Sequence, residues 1–469
     1  MTKLKEECGV FGIFNADEAS VLTTLGLHSL QHRGQEGAGI VSYDGKNFHN
    51  VRKQGLVGDN FSNIDILSNL PGRNALGHVR YSTTGESKTE NLQPLFANLS
   101  LGGFACAHNG NLTNTHSLKK ELVSKGAIFQ TTSDTELILQ LVARSRQKKL
   151  MNKLIDALKK IEGAYSLVIL TNKKLIGAKD PFGIRPLVLG SLNKSYVLAS
   201  ETCALDIIGA KYIRDIENGE IICIEQNQIQ SFKPFKKYNK RPCIFERIYF
   251  ASPDSMIDGK TVYTYRKNLG EQLAIENKIK ADVVVPIPDS GVSAAIGFSQ
   301  KSKIPFELGI IRSHYVGRTF IEPTQHIRQL GVKLKHSVNK SCIKNKKVIL
   351  IDDSIVRGTT ASKIVNMVFE AGAKEVHLGI TCPPIKYPDF YGIDTPKHKE
   401  LMASNYTLKE MIKIVGANSL FFLSLDGTYK AMGHTKRNNK NPQFSDHCFT
   451  GDYPINIEEI QNFKNELFE

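Results

Sequence analysis

The sequence predicts two domains of different class: a mixed α+β layered domain over residues 8–232 and an α/β domain with a mainly parallel sheet over 243–440, followed by a C-terminal tail, 441–469. Three observations carry this. Up to residue 232, short apolar strands alternate with Gly-rich turns and are interrupted by only a few helical segments, the pattern of a largely antiparallel sheet. Beyond residue 243 the apolar runs become continuous and each is followed by a helix, as in a parallel sheet covered on both faces. Between the two, "SFKPFKKYNKRPC" (231–243) is polar and basic, carries two prolines, and reads as a linker.

The strands expected in the first domain are "CGVFGIF", "GAGIVSY", "ALGHVRYST", "SLGGFACAHNG", "AYSLVILT", "KLIGAKD", "SYVLAS" and "GEIICIEQ". Helices are expected near 17–31, 134–145 and 149–161, the first with Asp17 and Glu18 in its opening turn beside the positive helix end. In the second domain "ADVVVPIPDSG" runs into "VSAAIGFSQKS", and "KKVILIDDS" into "TASKIVNMVFEAGA" and then "KEVHLGITC". No internal repeat is present. At 469 residues the chain exceeds the size at which single cores stop growing, which agrees with two domains.

Composition narrows the function classes. No basic segment followed by an apolar run and a cleavage site opens the chain, and no apolar stretch approaches the ~20 residues that span a bilayer, so a cytoplasmic, soluble protein is expected. The eight cysteines are scattered, which suits reduced thiols rather than a disulfide scaffold. The net charge of +15 is spread along the chain as lysines, not gathered into a basic stripe with aromatics, and neither nucleic acid nor membrane is expected as a partner.

The stretch most informative about chemistry is "KKVILIDDSIVRGTTASKIV" (346–365). A strand ends in Asp352 and Asp353, and a loop with Gly358, Thr359 and Thr360 then opens a helix. Ligands of parallel sheets bind beyond the carboxyl ends of strands, and a helix N-terminus offers free N–H groups to a phosphate, so a monophosphate fits Arg357 to Thr360. The paired acids would repel that phosphate and are better suited to ribose hydroxyls or a hydrated Mg²⁺. Two acids after a strand also suit a nucleotide hydrolase, and Gly-Thr-Thr can simply cap a helix.

"VILIDDSIVRGTT" (348–360) resembles the phosphoribosyltransferase signature. The resemblance implies a type I phosphoribosyltransferase fold, phosphoribosyl pyrophosphate held by Asp352, Asp353, Ser354, Arg357, Gly358, Thr359 and Thr360, and a pyrophosphate loop at "PIPDSG" with Asp289, Ser290 and Gly291. It further implies Mg²⁺ on Ser290, Asp352 and Asp353, and a loop at 312–329 that closes over the substrate and keeps water from an oxocarbenium-like carbon.

In the first domain, "CGVFGIF", "QHRGQEGAG" (31–39), "GHVRYSTTG" (77–85), "HNGNLTN" (108–114) and "TSDTE" (132–136) together resemble the glutaminase domain of the N-terminal-nucleophile (Ntn) amidotransferases. That implies the αββα layering of the Ntn fold. Hydrolysis of a glutamine amide needs a nucleophile, a base, an oxyanion site and anchors for the amino acid. An N-terminal cysteine supplies the first two, through its thiol and its own α-amino group, with a reference pKa of about 7.7–8.0. The resemblance makes Cys8 that nucleophile, Asn109 and the Gly110 N–H the oxyanion site, Arg80 the partner of the glutamine carboxylate and Asp134 that of its ammonium, with Arg33 and Gly34 in support. Taken singly these residues have ordinary readings: Arg80 and Asp134 as surface ion-pair partners, Asn109–Gly110 as a type I′ turn, Cys8 as core filler.

The two halves in one chain, with "CIFERIYFASPDSMIDGKTVYTYRKNLG" (243–270) and "CPPIKYPDFYGIDT" (382–395), resemble the amidophosphoribosyltransferase family end to end. The resemblance implies glutamine, phosphoribosyl pyrophosphate and water giving 5-phosphoribosylamine, glutamate and pyrophosphate, in a homotetramer inhibited by purine nucleotides. It also implies a propeptide, residues 1–7, removed so that Cys8 acquires a free amino group. One branch of the family holds a [4Fe-4S] cluster on four thiolates. Here the corresponding positions are Cys243, Asp389, Ser445 and Cys448, two thiols of four, and no cluster is expected because hard oxygen ligands replace soft ones. The alternatives are another Ntn amidotransferase, which has no use for the phosphoribosyl loop, and a nucleotide-sensing DNA-binding regulator on a phosphoribosyltransferase fold, which has no use for Cys8, Arg80, Asn109 and Asp134.

Overall fold

The structure is a computed structural model and describes residues 8–81, 89–226, 228–313, 336–395 and 397–457. The expected propeptide, 1–7, and most of the expected closing loop, 312–329, lie outside these residues.

Two antiparallel sheets form the middle of the first domain. One has seven strands in the order 211–215, 188–192, 195–199, 9–14, 74–80, 37–43 and 48–54, and the other six, ordered 228–232, 221–225, 175–179, 163–171, 102–112 and 95–99. The period-two alternation of the first strand shows how they stack. Val10 and Phe14 face the second sheet and join Leu76, Val168, Leu170 and Leu198 in the core between the sheets. Phe11 and Ile13 point the other way, onto the helix Ala19–Ser29 and the turn at Cys203–Asp206. Gly12 lies where the sheets come closest, since a Cβ there would stand 2.7 Å from Val168 Cγ1. The helices Thr135–Arg144 and Leu150–Leu158 cover the outer face of the second sheet with Leu137, Ile138, Leu141 and Leu154, completing the expected αββα layering.

Two local expectations change. The first helix opens at Ala19, with Glu18 before it at φ 54° and no acid in its first turn, and Asp17 is paired instead with Arg73. Asn109–Gly110 is no turn: both residues lie inside the strand Gly102–Leu112, where Gly110 pairs with Tyr165.

The second domain is built on a four-stranded parallel sheet, ordered 283–286, 347–352, 375–380 and 419–422. Helices Val262–Glu276 and Val292–Ser302 cross at glycines: a Cβ at Gly270 would stand 1.8 Å from the Ala294 carbonyl oxygen, and one at Gly297 2.0 Å from that of Lys267. A two-stranded ribbon, Ile310–Arg312 with His336–Val338, stands beside the sheet.

The domains share a core. Ala164 and Ile184 of the first cluster with Phe245, Tyr391 and Cys448, and Phe444, Cys448 and Phe449 of the C-terminal segment are buried there. Cys243 bridges to Ser445 in parallel pairing, and Arg241 binds Asp452. All eight cysteines are free. Among the described residues no helix is long and apolar enough to cross a membrane.

Candidate active site

Cys8 immediately precedes the strand Gly9–Phe14, which pairs with Asn74–Arg80 in a register that sets Gly9 opposite Val79. The thiol therefore sits next to the end of the strand that carries Arg80, and its Sγ donates to the Tyr81 carbonyl at 3.4 Å. Arg80 is buried and the Asp134 side chain is only 8% exposed, so neither is a surface ion-pair partner. Burial pushes the Cys8 thiol up to about 11, with the positive charges of Arg80 and Arg33 pulling the other way and Asp134 adding to the rise. Arg80, Asp134 and Arg33 are thus the charged groups that act on the sulfur.

Asn109 and Gly110 lie on the second sheet next to His108, whose carbonyl oxygen is 3.0 Å from His78 Nε2 on the strand that carries Arg80 and whose ring is 3.4 Å from Asp134. Asn109 is fully buried, and among the described residues neither its Nδ2 nor its Oδ1 has a hydrogen-bond partner. A buried amide left in that state costs about 1–3 kcal/mol per polar group, so its retention calls for a ligand. Gly110 adopts φ 141°, and a Cβ there would stand 2.1 Å from the Ala164 carbonyl oxygen, so only glycine fits. Asp134 Oδ2 accepts from the Leu112 N–H at 3.0 Å, and its Oδ1 lies 3.4 Å from His108 Nδ1. Burial raises this carboxyl, but the adjacent His108 and the main-chain donors outweigh it and hold it below the usual range.

Around the cysteine, Arg33, expected there in support, stands with Glu201, Glu246 and Arg185, which the motifs did not reveal. Arg33 Nε donates to the Cys8 carbonyl at 3.1 Å, and its guanidinium binds Glu201 at 2.5 Å and Glu246 at 2.8 Å. Glu246 also lies 3.5 Å from Arg185, whose Nε donates to the Tyr391 carbonyl at 2.8 Å. All four charged side chains are buried. The one sequence signal was a charge inside an apolar run: Glu246 sits in "CIFERIYF".

In the second domain the parallel register sets Pro286 beside Ile351, so the loops after these strands leave the same edge of the sheet. The first loop carries Asp289, Ser290 and Gly291 into the helix Val292–Ser302. A Cβ at Gly291 would stand 2.3 Å from the Ile351 carbonyl oxygen, so the two loops touch through it. Ser290 Oγ lies 3.5 Å from Asp352 Oδ1, while Asp352 and Asp353 are buried at the strand end. Ser354 Oγ donates to Asp353 at 2.5 Å. Gly358, at φ 77°, precedes the helix Thr359–Glu370, whose first residues are Thr359 and Thr360. Arg357 turns its side chain to Glu400 at 2.8 Å, so this position offers an anion its main chain. Asp289 is exposed and paired with Arg312.

The residues at the possible cluster position do meet in space but do not fit a four-thiolate cluster. Asp389 Oδ1 accepts from the N–H groups of Tyr391 (2.7 Å) and Ile393 (2.8 Å), and its Oδ2 lies 2.7 Å from His447 Nε2. His447 Nδ1 lies 2.9 Å from Ser445 Oγ. Two of the four positions are thus oxygen side chains joined through His447, with both Asp389 carboxylate oxygens engaged, while Cys243 and Cys448 keep their thiols.

A glutamine amidotransferase domain family matches residues 78–206, and a phosphoribosyl transferase domain family matches 269–421. The chain is 57% identical over 460 residues to the amidophosphoribosyltransferase of Rhizobium etli, covering 97% of this chain and 93% of that protein. It is 48% identical over 455 residues to that of Bacillus subtilis, covering 97% and 95%. A solved glutamine phosphoribosylpyrophosphate amidotransferase from B. subtilis, complexed with ADP and GMP, superposes with a TM-score of 0.91 at 47% identity, covering 96% of this chain and 98% of that one. With identity of this order over nearly the whole length of both proteins, and both halves of the site assembled in one fold, the chain belongs to the amidophosphoribosyltransferase family.

Proposed function

We propose that the chain converts glutamine, phosphoribosyl pyrophosphate and water into 5-phosphoribosylamine, glutamate and pyrophosphate, the committing step of purine biosynthesis, with ammonia passing from the Cys8 site to the Asp352–Asp353 site. The observation that carries this reading is the buried, partnerless carboxamide of Asn109 in the region where Cys8, Arg80 and Asp134 converge.

With its thiol held near 11 by burial, Cys8 is protonated at neutral pH and needs a base. In the working enzyme residues 1–7 are removed and the base is the α-amino group of Cys8, since an amide nitrogen cannot take a proton. The sulfur attacks the glutamine side-chain amide carbon, and its proton passes to the amine. Asn109 Nδ2 and the Gly110 N–H receive the developing oxyanion, and Arg80 and Asp134 hold the carboxylate and ammonium of the substrate. Collapse expels ammonia, which carries away the proton held by the amine, and water then hydrolyses the thioester to glutamate.

In the second domain the main chain of Arg357 to Thr360, at a helix N-terminus, binds the 5-phosphate, and Asp289 to Gly291 bind the pyrophosphate. The all-oxygen set of Ser290, Asp352 and Asp353 suits Mg²⁺, which when bound neutralises charge on the departing pyrophosphate. Ammonia attacks the anomeric carbon as pyrophosphate leaves, and loses a proton to give the amine. The cluster position works without iron. Purine nucleotides inhibit the enzyme, which assembles as a homotetramer in the cytoplasm.

The test is a paired assay on Cys8→Ala. Glutamine-dependent consumption of phosphoribosyl pyrophosphate should vanish while consumption driven by free ammonia persists; loss of both, or of neither, rejects the two-site reading. Intact mass of active protein should begin at Cys8.

A further inference from the structure

We infer that Glu246, a residue that touches neither substrate nor nucleophile, is a positioning residue for the glutamine half-reaction; the inference rests on Cys8 being the nucleophile. Once residues 1–7 are cut away, Cys8 keeps a covalent tether on its carbonyl side alone. Its α-amino group then depends on whatever fixes that carbonyl, and the side chain that does so is Arg33, through Nε at 3.1 Å.

Arg33 is itself held by two carboxylates of different origin. Glu201 follows the strand Ser195–Ala199 of the glutaminase half. Glu246 begins the helical turn Glu246–Phe250, beyond the linker, and grips the guanidinium with both oxygens, at 2.8 and 3.0 Å. A fork of this kind fixes direction as well as distance. Glu246 therefore sets where the Nε of Arg33 points, and through it where the Cys8 carbonyl lies.

The oxyanion strand is buttressed from the same side. Asn111 Nδ2 donates to the Phe390 carbonyl at 2.9 Å, and a Cβ at Gly392 would stand 3.1 Å from Gly110 Cα. Arg185 closes the ring, contacting Glu246 at 3.5 Å and the Tyr391 carbonyl at 2.8 Å. Nucleophile and oxyanion site are thus both set against residues of the second domain, with Glu246 on the nucleophile side.

The experiment is steady-state kinetics of full-length Glu246→Gln, beside wild type and Cys8→Ala, with glutamine and with ammonium as nitrogen source. Small misplacement of a reacting group costs on the order of 100-fold, so kcat with glutamine should fall by about tenfold to 100-fold. KM for glutamine should stay within about threefold, because Arg80 and Asp134 are untouched. The ammonia-dependent rate should stay within about twofold, because that site lies at another sheet. Glutamine-dependent kcat within about twofold of wild type overturns the inference, as does a parallel fall of the ammonia-dependent rate or a loss carried by KM. Because the amide leaves Arg33 short of one negative charge, Glu246→Asp is measured as well. It keeps the charge with a shorter reach, and a glutamine kcat restored to within about twofold by charge alone also overturns it. Glutamine-dependent turnover by Cys8→Ala would instead remove the nucleophile reading beneath it.

Discussion

Replacement of Asn109 by alanine should separate activity from stability, because the resting site already carries the cost of an unused amide. Among the described residues, both polar atoms of this fully buried side chain lack partners. Each such group costs about 1–3 kcal/mol in the folded protein. Truncation removes that penalty and gives up contacts worth about 0.8 kcal/mol per methylene equivalent, plus a small cavity. The two effects are of similar size, so the urea midpoint should stay close to wild type or rise. In the proposed mechanism the same amide donates to the oxyanion in the transition state, and losing one such donor costs about 2.7–4 kcal/mol, or 10²–10³ in kcat. The assay pairs glutamine hydrolysis at saturating substrate with urea unfolding of the same preparation. A hydrolysis rate within about fivefold of wild type, or a midpoint lowered as for any truncated core residue, would refute the oxyanion assignment.

Three further outcomes follow from the same geometry. Asp352→Asn with Asp353→Asn should abolish synthesis with either nitrogen source while glutamine hydrolysis persists, read by pyrophosphate and glutamate release; synthesis at the wild-type rate would remove both acids from the site. Gly110→Ala meets the Ala164 carbonyl oxygen at 2.1 Å from a φ of 141°, so it should destabilise the protein by about 1–3 kcal/mol and remove glutaminase activity, measured by thermal unfolding and glutamate release. Asp389 is held below the usual carboxylate range, burial opposing and His447 prevailing. Its folded pKa lies below the unfolded value of about 3.9, so its contribution to stability is complete above that pH and is lost as pH falls through the folded value. The stability gap between wild type and Asp389→Asn should therefore narrow as pH falls below about 4; urea midpoints across pH check this.

What the sequence made legible depended on the reach of each signal. Cys8, Arg80, Asn109 and Asp134 stand in short motifs whose spacing survives in one dimension, and the structure brings the charges of Arg80 and Asp134 to bear on the Cys8 thiol and leaves the Asn109 amide buried without a partner among the described residues. Because Val10, Phe11, Ile13 and Phe14 are all apolar and only the structure sorts them onto the two faces of their strand, the αββα layering was legible only through the resemblance to the Ntn amidotransferases. The strands Phe48–Gln54 and Lys211–Asp215 were not, since each lies at a sheet edge and is largely exposed or half-buried, with no hydrophobic period to betray it. The role of Glu246 was illegible for another reason, although its charge stands out in an apolar run. Its partner Arg33 lies 213 residues earlier, and a pairing of that range leaves no local pattern.

The same range explains why the two halves share one core. A glutaminase half that ended at the linker would lack Glu246, the Phe390 carbonyl that receives Asn111, and Gly392 against Gly110. The Asp389–His447–Ser445 chain ties that same Phe390–Gly392 turn to the C-terminal segment, through main-chain donors at Tyr391 and Ile393. At the four positions Cys243, Asp389, Ser445 and Cys448 the protein keeps both cysteines and links Asp389 to Ser445 through His447. Each hydrogen bond of such a chain is worth only about 0.5–1.5 kcal/mol, or about 1.5–3 kcal/mol where a charge takes part, so its stabilisation comes from several small contributions in a buried setting. The turn it steadies is the one packed on the oxyanion strand, so the C-terminal segment supports chemistry carried out in the first domain.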